Sequence, residues 1–511
     1  MGLSRWLHRW IGLALVVYLG WMGGSGVLLN HPGLISGISV PEWMVPPQYR
    51  IADWSRGALR SLVPVEGREG RFVAAGRLGV WLSDDGGRSF AELNEGLGSL
   101  YRRNAQQVLS LTGDSGPVLL AATRGGLFQR EEDDVGWRRV PLGDKRPVVK
   151  VVGVGDRLLA FTDSGVFASP APPADLEFSL VALTRASTTS EVSMIDALFN
   201  LHSGEAWGLP GQLVYDLVGV VLVVLSVSAL VTWLYRKTRH RLGRARLRIR
   251  GAVRGLVRYH LDLGIWSAVF LLVIGVSGMF MRPPLLVLAA GETIPRWAYP
   301  GLTPRNPWYH RIQNATYDAA GDRLLIQAND GVWEGPPGLD GAFRRINLPA
   351  PIFAMGATVF EARADGSLDV GSFAGLYRVD PAQKTTDLLA AGLVEGRSRM
   401  RPGRHLVTGF VRLPTGESVV TTHRQGVLDL NGAGAGDRLS MPDLEGASAG
   451  MPLWNFLFEL HNGRIFRDLI GPSYVLIVPL GGFLLVLLTL TGVWDWMVPK
   501  WRRWRRARPG G

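Results

Sequence analysis

The 511-residue sequence contains no cysteine. Disulfides, iron–sulfur clusters, thiolate-ligated haem, covalently attached c-type haem and Cys-based zinc sites are therefore excluded, because each needs a sulfur that is not there. Charge is scarce as well. Only 19% of residues are Asp, Glu, Lys or Arg, below the ~25% of soluble domains, and mean hydropathy is positive, so the composition is that of a membrane protein. No nucleophile elbow, phosphate-binding loop or HExxH helix occurs, and nothing points to hydrolysis.

The formal net charge is +12, and its location decides its meaning. Arg236 to Arg258 holds ten Lys/Arg and no acid, six more follow Trp494 against Asp495, and two stand in the first ten residues. These stretches carry a net +17 and leave −5 for the rest. Nucleic acid would need a basic face on a soluble fold, so it is not an expected partner. The basic stretches instead border apolar runs of the ~20 residues that cross a bilayer: Ile11–Leu29, Leu217–Tyr235, Leu263–Met281 and Leu469–Trp494. None of the four contains a formal charge.

Positive-inside logic places both termini and the basic loop in the cytoplasm, and the long segments outside, in a bacterium the periplasm. The expected order is a cytoplasmic N-terminus (1–10), span one (11–31), an outside β segment (32–195), and an interfacial helix with span two (196–235). A basic cytoplasmic loop (236–259), span three (260–282), a second β segment (283–452), an interfacial helix with span four (453–497) and a basic tail (498–511) follow. Trp6, Trp10, Trp494, Trp496, Trp501 and Trp504 read as an interfacial belt whose neighbouring arginines favour anionic lipid.

The chain repeats itself. Shifted by 252 residues, His8 falls on His260, Gly12 on Gly264, Ser25-Gly26 on Ser277-Gly278 and Pro32 on Pro284. Span three cannot be a cleaved secretory signal, so its copy, span one, is read as a retained helix. The approaches to spans two and four also match, Leu198-Phe199-Asn200-Leu201-His202-Ser203-Gly204 with Leu457-Phe458-Glu459-Leu460-His461-Asn462-Gly463. A duplicated helix–domain–helix unit with one orientation implies a pseudo-twofold axis along the membrane normal.

The outside segments repeat at a shorter period. Gly79-Val80-Trp81, Gly126-Leu127-Phe128 and Gly165-Val166-Phe167 recur in the first, and Gly331-Val332-Trp333, Gly375-Leu376-Tyr377 and Gly426-Val427-Leu428 in the second, 39 to 51 residues apart. Short strands at such a period are what propeller blades show. Ser83-Asp84-Asp85-Gly86-Gly87-Arg88-Ser89-Phe90 fits an Asp-box hairpin and reads as structural. The expected fold is thus four transmembrane α-helices in two tandem repeats, N-in and C-in, with an all-β outside domain. That domain is expected to be one propeller of about six blades, three from each segment; two separate sandwich-like halves are the rival.

Four of the nine histidines occupy repeat-equivalent places. His8 and His260 stand at the cytoplasmic ends of spans one and three, His202 and His461 on the outside approaches to spans two and four. A pseudo-twofold sets each pair at equal depth across the axis, where two neutral imidazoles can ligate a planar haem iron from both faces. Each ring's other N–H would then need a partner. Gly23, Gly24, Ser25, Gly26, Gly275, Ser277 and Gly278 would allow close approach. The plain alternative, interfacial histidines at helix ends, stays open. His31 ranks lower because its repeat partner is Pro283. His240 is expected to be solvated, and His310, His405 and His423 to be ordinary residues of the outside domain. Asp216 is a candidate buried partner, while Asp262 is expected to pair with neighbouring arginines.

Leu7-His8-Arg9-Trp10-Ile11-Gly12-Leu13 leading to Gly26-Val27-Leu28-Leu29-Asn30-His31 resembles the opening of PepSY-associated transmembrane proteins. Leu201-His202-Ser203-Gly204, and Leu460-His461-Asn462-Gly463-Arg464-Ile465-Phe466 through Gly492-Val493-Trp494-Asp495-Trp496, resemble that family's other helices. The resemblance implies a bacterial inner-membrane, iron-regulated protein, with haem-b ferric-siderophore reductases among its relatives, and His8, His260, His202 and His461 as haem iron ligands. Two haem sites are expected, since ~19 apolar residues span roughly 28 Å of helix. Outside the membrane the blades replace the family's small α/β module, so the substrate does not carry over. The leading expectation is a b-type cytochrome moving electrons from a cytoplasmic donor to a periplasmic acceptor such as a ferric chelate. A membrane-anchored β-propeller that binds or senses a periplasmic ligand is the alternative. A transporter ranks third, few polar groups lying mid-span and no helix being expected to break.

Overall fold

The computed structural model describes residues 2–113, 116–170, 176–186, 191–241, 243, 245–302, 306–352, 356–388, 406–413, 417–430, 439–446 and 448–506. Two compact units share the chain. Met1–Ile35, Thr189–Thr303 and Leu453–Gly511 make a helical unit, Ser36–Thr188 and Pro304–Pro452 a β unit.

The helical unit is built on α1 (Leu3–Asn30), α2 (Met194–Ser203), α3 (Gly208–Thr238), α4 (Ala245–Trp266), α5 (Ala268–Phe280), α6 (Leu453–His461) and α7 (Ile477–Arg506). Among the described residues, Leu3–Asn30, Glu205–Arg241 and Arg464–Trp504 are long and apolar enough to cross a membrane. A fourth crossing exists only if α4 and α5 are taken together, and they meet at 64°. The unbroken span expected over 260–282 is thus corrected. At the break, Ser267 Oγ donates to Leu263 O at 2.8 Å.

Leu19, Val218, Leu222, Leu271, Leu485 and Leu488 form the core of this unit. Glycine sets how closely its helices pack. A Cβ on Gly23 would lie 2.5 Å from Gly219 O, and one on Gly275 would lie 3.2 Å from Gly482 O. Gly23 and Gly275 are repeat mates, and aligning α3 with α7 through Leu222/Leu485 makes Gly219 and Gly482 mates too. The same backbone contact is made twice, once in each half, as the pseudo-twofold requires.

Six antiparallel sheets make up most of the described β unit. Their first strands are Ser61–Pro64, Ala105–Gly113, Val148–Val154, Ile312–Asp318, Val359–Ala362 and Val407–Arg412. Each touches the next in that order, and the last touches the first. Three sheets come from each segment. The repeated tripeptides open their third strands, at Gly79, Gly126, Val166, Gly331, Gly375 and Gly426. Gly79 has φ +119°, and a Cβ there would meet Asn94 Oδ1, so this turn requires glycine. The segments also interlock. Thr184–Arg185 pairs in parallel with Ala342–Phe343, and the Arg185 guanidinium lies 3.9 Å and 4.1 Å from the ring centres of Trp308 and Trp333, 2.6 Å from Asp330.

The Asp-box is structural, as its composition suggests. Asp85 accepts from Ser83 Oγ, Ser89 Oγ and the Arg88 and Ser89 N–H groups, and Phe90 is buried.

Candidate functional site

The histidines owe their positions to short, legible pieces of sequence. α2 and α6 each end in His-x-Gly, with Gly204 at φ +82° and Gly463 at φ +75°. The left-handed glycine stops the helix one turn after the core and leaves His202 and His461 on its last turn. His8 lies near the start of α1, and His260 lies in α4 before the bend at Ser267.

Each ring is held by a hydroxyl from another helix. His8 Nδ1 lies 3.2 Å from Thr491 Oγ1 and 3.0 Å from Leu488 O, and His260 Nδ1 lies 2.7 Å from Ser228 Oγ. His461 Nδ1 is 2.8 Å from Ser25 Oγ. His202 Nδ1 is 3.2 Å from both Ser277 Oγ and Ile274 O. The hydroxyls donate their own protons to carbonyls of their own helices, Thr491 to Leu487 O, Ser228 to Leu225 O, Ser25 to Trp21 O and Ser277 to Val273 O. Their oxygens can therefore only accept from the imidazoles. That fixes all four rings as the Nδ1–H tautomer and leaves Nε2 of each with its lone pair free to coordinate.

A small residue follows every one of these hydroxyls: Gly26, Gly278, Gly492 and Ala229. A Cβ at Gly278 or Gly492 would stand 3.1 Å from Cε1 of His202 or His8, and one at Gly26 3.7 Å from Cε1 of His461. The four cradles are thus hydroxyl–small dipeptides related by the duplication. Sequence reasoning picked out Ser25-Gly26 and Ser277-Gly278 as small residues only, and it missed Ser228-Ala229 and Thr491-Gly492. The α3/α7 alignment through Gly219/Gly482 would have found both.

The structure brings His8 and His260 together as a pair, and His202 and His461 stand within electrostatic reach of each other. The His8 and His260 rings have centroids 6.5 Å apart and planes at 89°, and they line a cavity of about 320 Å³ with Gly12, Gly264, Leu222 and Leu485. That volume is in the range of small-molecule sites, about 300–1,000 Å³. At the other end of the unit, burial and then the neighbouring His202 charge lower the His461 pKa to about 3, and burial lowers that of His202 to about 4. Both are neutral imidazoles at physiological pH, the form that ligates metal.

The remaining candidates are otherwise engaged. His31 Nε2 is 2.6 Å from Asp216 Oδ2, and Asn30 Nδ2 donates to the other oxygen at 3.0 Å, so Asp216 is a partner of His31. Asp262 lies 3.8 Å from Arg258 on an exposed face, and His240 is exposed. His310 pairs with Asp163 at 2.6 Å, and His423 contacts Arg56; His405 lies outside the described residues.

The family model of the PepSY-associated TM region matches residues 5–503. No curated protein matches the chain in sequence. Among solved structures, the extracellular domain of a hybrid two-component system from B. thetaiotaomicron is similar over 73% of this chain and 40% of that one, at 10% identity and a TM-score of 0.34. YCF48 from Cyanidioschyzon merolae is similar over 73% and 94%, at 11% identity and a TM-score of 0.30. This chain covers less than half of the first of these structures, and likenesses at such scores carry no weight for its fold or activity.

Proposed function

Since the chain belongs to the PepSY-associated transmembrane family, we propose that it is an inner-membrane b-type cytochrome, with His8/His260 and His202/His461 as two sites for haem b. The observation that carries this reading is the four-fold cradle: repeat-related imidazoles whose Nδ1–H is taken up by a hydroxyl and whose Nε2 is left to coordinate. His8 and His260, whose ring centroids stand 6.5 Å apart, would hold one haem between them. Haem bound there would supply one-electron chemistry, its iron cycling between ferric and ferrous.

In this reading α4 and α5 form one bent third span, and both termini and the basic loop are cytoplasmic. The residues divide the work by position. His8 and His260 serve a cytoplasmic electron donor, His202 and His461 a periplasmic acceptor, and the leucine core between them keeps water out. The six sheets form one periplasmic propeller whose surface selects the acceptor, a ferric chelate being the kind that family membership favours.

The visible spectrum of the full-length protein, purified in detergent after haem-replete expression, tests the proposal. A Soret band and a reduced α band are expected, with part of each lost in H8A/H260A and part in H202A/H461A. A colourless, monodisperse protein would overturn the reading and leave a membrane-anchored β module that binds or senses a ligand.

A further inference from the structure

The histidine sites are symmetric, but the charges around the outer pair are not. Asn30 and Arg282 are repeat mates at the ends of α1 and α5, and Glu205 and Arg464 are mates three residues beyond His202 and His461. The N-terminal half thus offers Asn30, Glu205 and the His31–Asp216 pair. The C-terminal half offers two arginines and one acid, Glu459, which pairs with Arg464. Arg282 lies one turn beyond Gly278, whose missing side chain makes room for the His202 ring. Arg464 follows His461 within a turn. Each cation thus lies within about a turn of chain from a residue of the outer histidine sites, Gly278 or His461.

Their hydrogen-bonding capacity is not used up. Arg282 Nε and Nη2 and Arg464 Nε are buried and have no hydrogen-bond partner among the described residues. Arg464 Nη2 is bound to Glu459, and Arg282 stacks on Tyr474 at 5.3 Å, so each guanidinium is fixed in place while part of its fork is left open. Arg282 stands within electrostatic reach of both Arg464 and Glu459. Buried N–H donors left open on adjacent cations cost stability unless an anion meets them, and a guanidinium fork matches a carboxylate.

We infer that Arg282 and Arg464 receive the carboxylates of the porphyrin held between His202 and His461. This rests on the haem reading above. A porphyrin of the b type carries both carboxylates on one edge, so a haem on a pseudo-twofold axis needs a site that is symmetric at the iron and asymmetric at the rim. The duplication is broken in that way here, with Arg282 standing where its mate is Asn30 and Arg464 where its mate is Glu205. The inner cavity has a parallel asymmetry: Arg9 and Arg236 line it, and their mates are Leu261 and Pro499.

The test uses full-length H8A/H260A protein, which retains only the outer pair, made in haem-deprived cells and titrated with haem and with haem dimethyl ester in phosphatidylcholine nanodiscs. Haem is expected to bind about tenfold or more tighter than the ester, as lost charge-assisted hydrogen bonds imply. R282M/R464M is expected to bind both porphyrins alike while keeping a bis-imidazole spectrum. The comparison of the two porphyrins needs no arginine variant, so misfolding of R282M/R464M leaves it intact. Equal binding of haem and ester by the arginine-bearing protein overturns the inference and spares the haem reading. So does tight phosphatidylglycerol retention that R282M/R464M abolishes without any porphyrin discrimination, which assigns the arginines to a lipid phosphate. Failure to bind either porphyrin overturns the haem reading itself.

Discussion

His8 and His260, 252 residues apart in sequence, stand with ring centroids 6.5 Å apart and planes at 89°. Neither ring is held by its own half of the duplication. His8 in α1 is bonded by Thr491 of α7, and His260 in α4 by Ser228 of α3. The pair exists only when both halves dock, so the hydroxyls are positioning residues for a site shared between them. Replacing them tests this directly. Ser228→Ala with Thr491→Val leaves the imidazoles in place but frees His260 Nδ1 and leaves His8 Nδ1 with Leu488 O alone, and is expected to weaken haem affinity at the inner site about 10- to 100-fold, the usual cost of losing such an outer-shell partner. A Soret titration of the variant in the H202A/H461A background reads this. Unchanged affinity would mean the hydroxyls only pack.

Helix packing gives a second prediction, on stability. Gly23 and Gly275 each let a backbone carbonyl come into contact with their own helix. Gly23→Val places a branched side chain 2.5 Å from Gly219 O, and Gly275→Val places one 2.9 Å from Val486 Cγ2. Each is expected to destabilise the helical unit by about 1–3 kcal/mol, the range for overpacking, seen as a lower melting temperature in detergent. Gly24→Val should do much less, since a Cβ there has nothing nearer than Val223 Cγ2 at 3.9 Å.

Much of this was legible in the sequence because duplication writes the same local requirement twice. The tripeptides from Gly79 to Gly426 mark the third strand of every sheet because a turn glycine and two apolar residues on opposite faces of the strand recur wherever a sheet is rebuilt. The paired histidines stand out for the same reason. What escaped is what depends on one helix touching another. Thr491 and Ser228 look like ordinary small polar residues of a span until the neighbouring imidazole is placed on them. The bend at Ser267 falls inside a continuous apolar run, where hydropathy does not register it. Arg185 reads as one more surface cation, yet it is enclosed by Trp308 and Trp333 from the other β segment. Arg282 and Arg464 lie outside the basic stretches that set the topology, and nothing in their local sequence marks them as partners.

The Asp-box makes a prediction about pH. Hydrogen bonds from the Ser89 hydroxyl, the Ser89 N–H and the Ser83 hydroxyl lower the Asp85 pKa from 3.8 to about 2. A carboxylate depressed on folding stabilises the folded state above its unfolded pKa, and that contribution is lost as pH falls through the folded value. The difference in melting temperature between the protein and Asp85→Asn should therefore be constant above about pH 5 and shrink between about pH 4 and pH 2. A difference that stays constant down to pH 2 would mean that the hairpin does not depend on the charge.

His31 provides the sharpest contrast with the four paired histidines, because it bonds through the opposite nitrogen. Its Nε2 is the atom 2.6 Å from Asp216, whereas His8, His202, His260 and His461 present Nδ1 to their partners. A ring that has given Nε2 to a carboxylate cannot also offer that lone pair to a metal without breaking an ion pair. His31→Ala is therefore expected to retain both pigments, while His461→Ala, in the same half-turn of chain as the open arginine Arg464, is expected to lose the outer one. Reduced-minus-oxidised spectra at low temperature, where two b-type centres give resolvable α bands, distinguish the two variants. Loss of an α band in His31→Ala, with His461→Ala intact, would move the outer ligand set to the His31–Asp216 side of the axis.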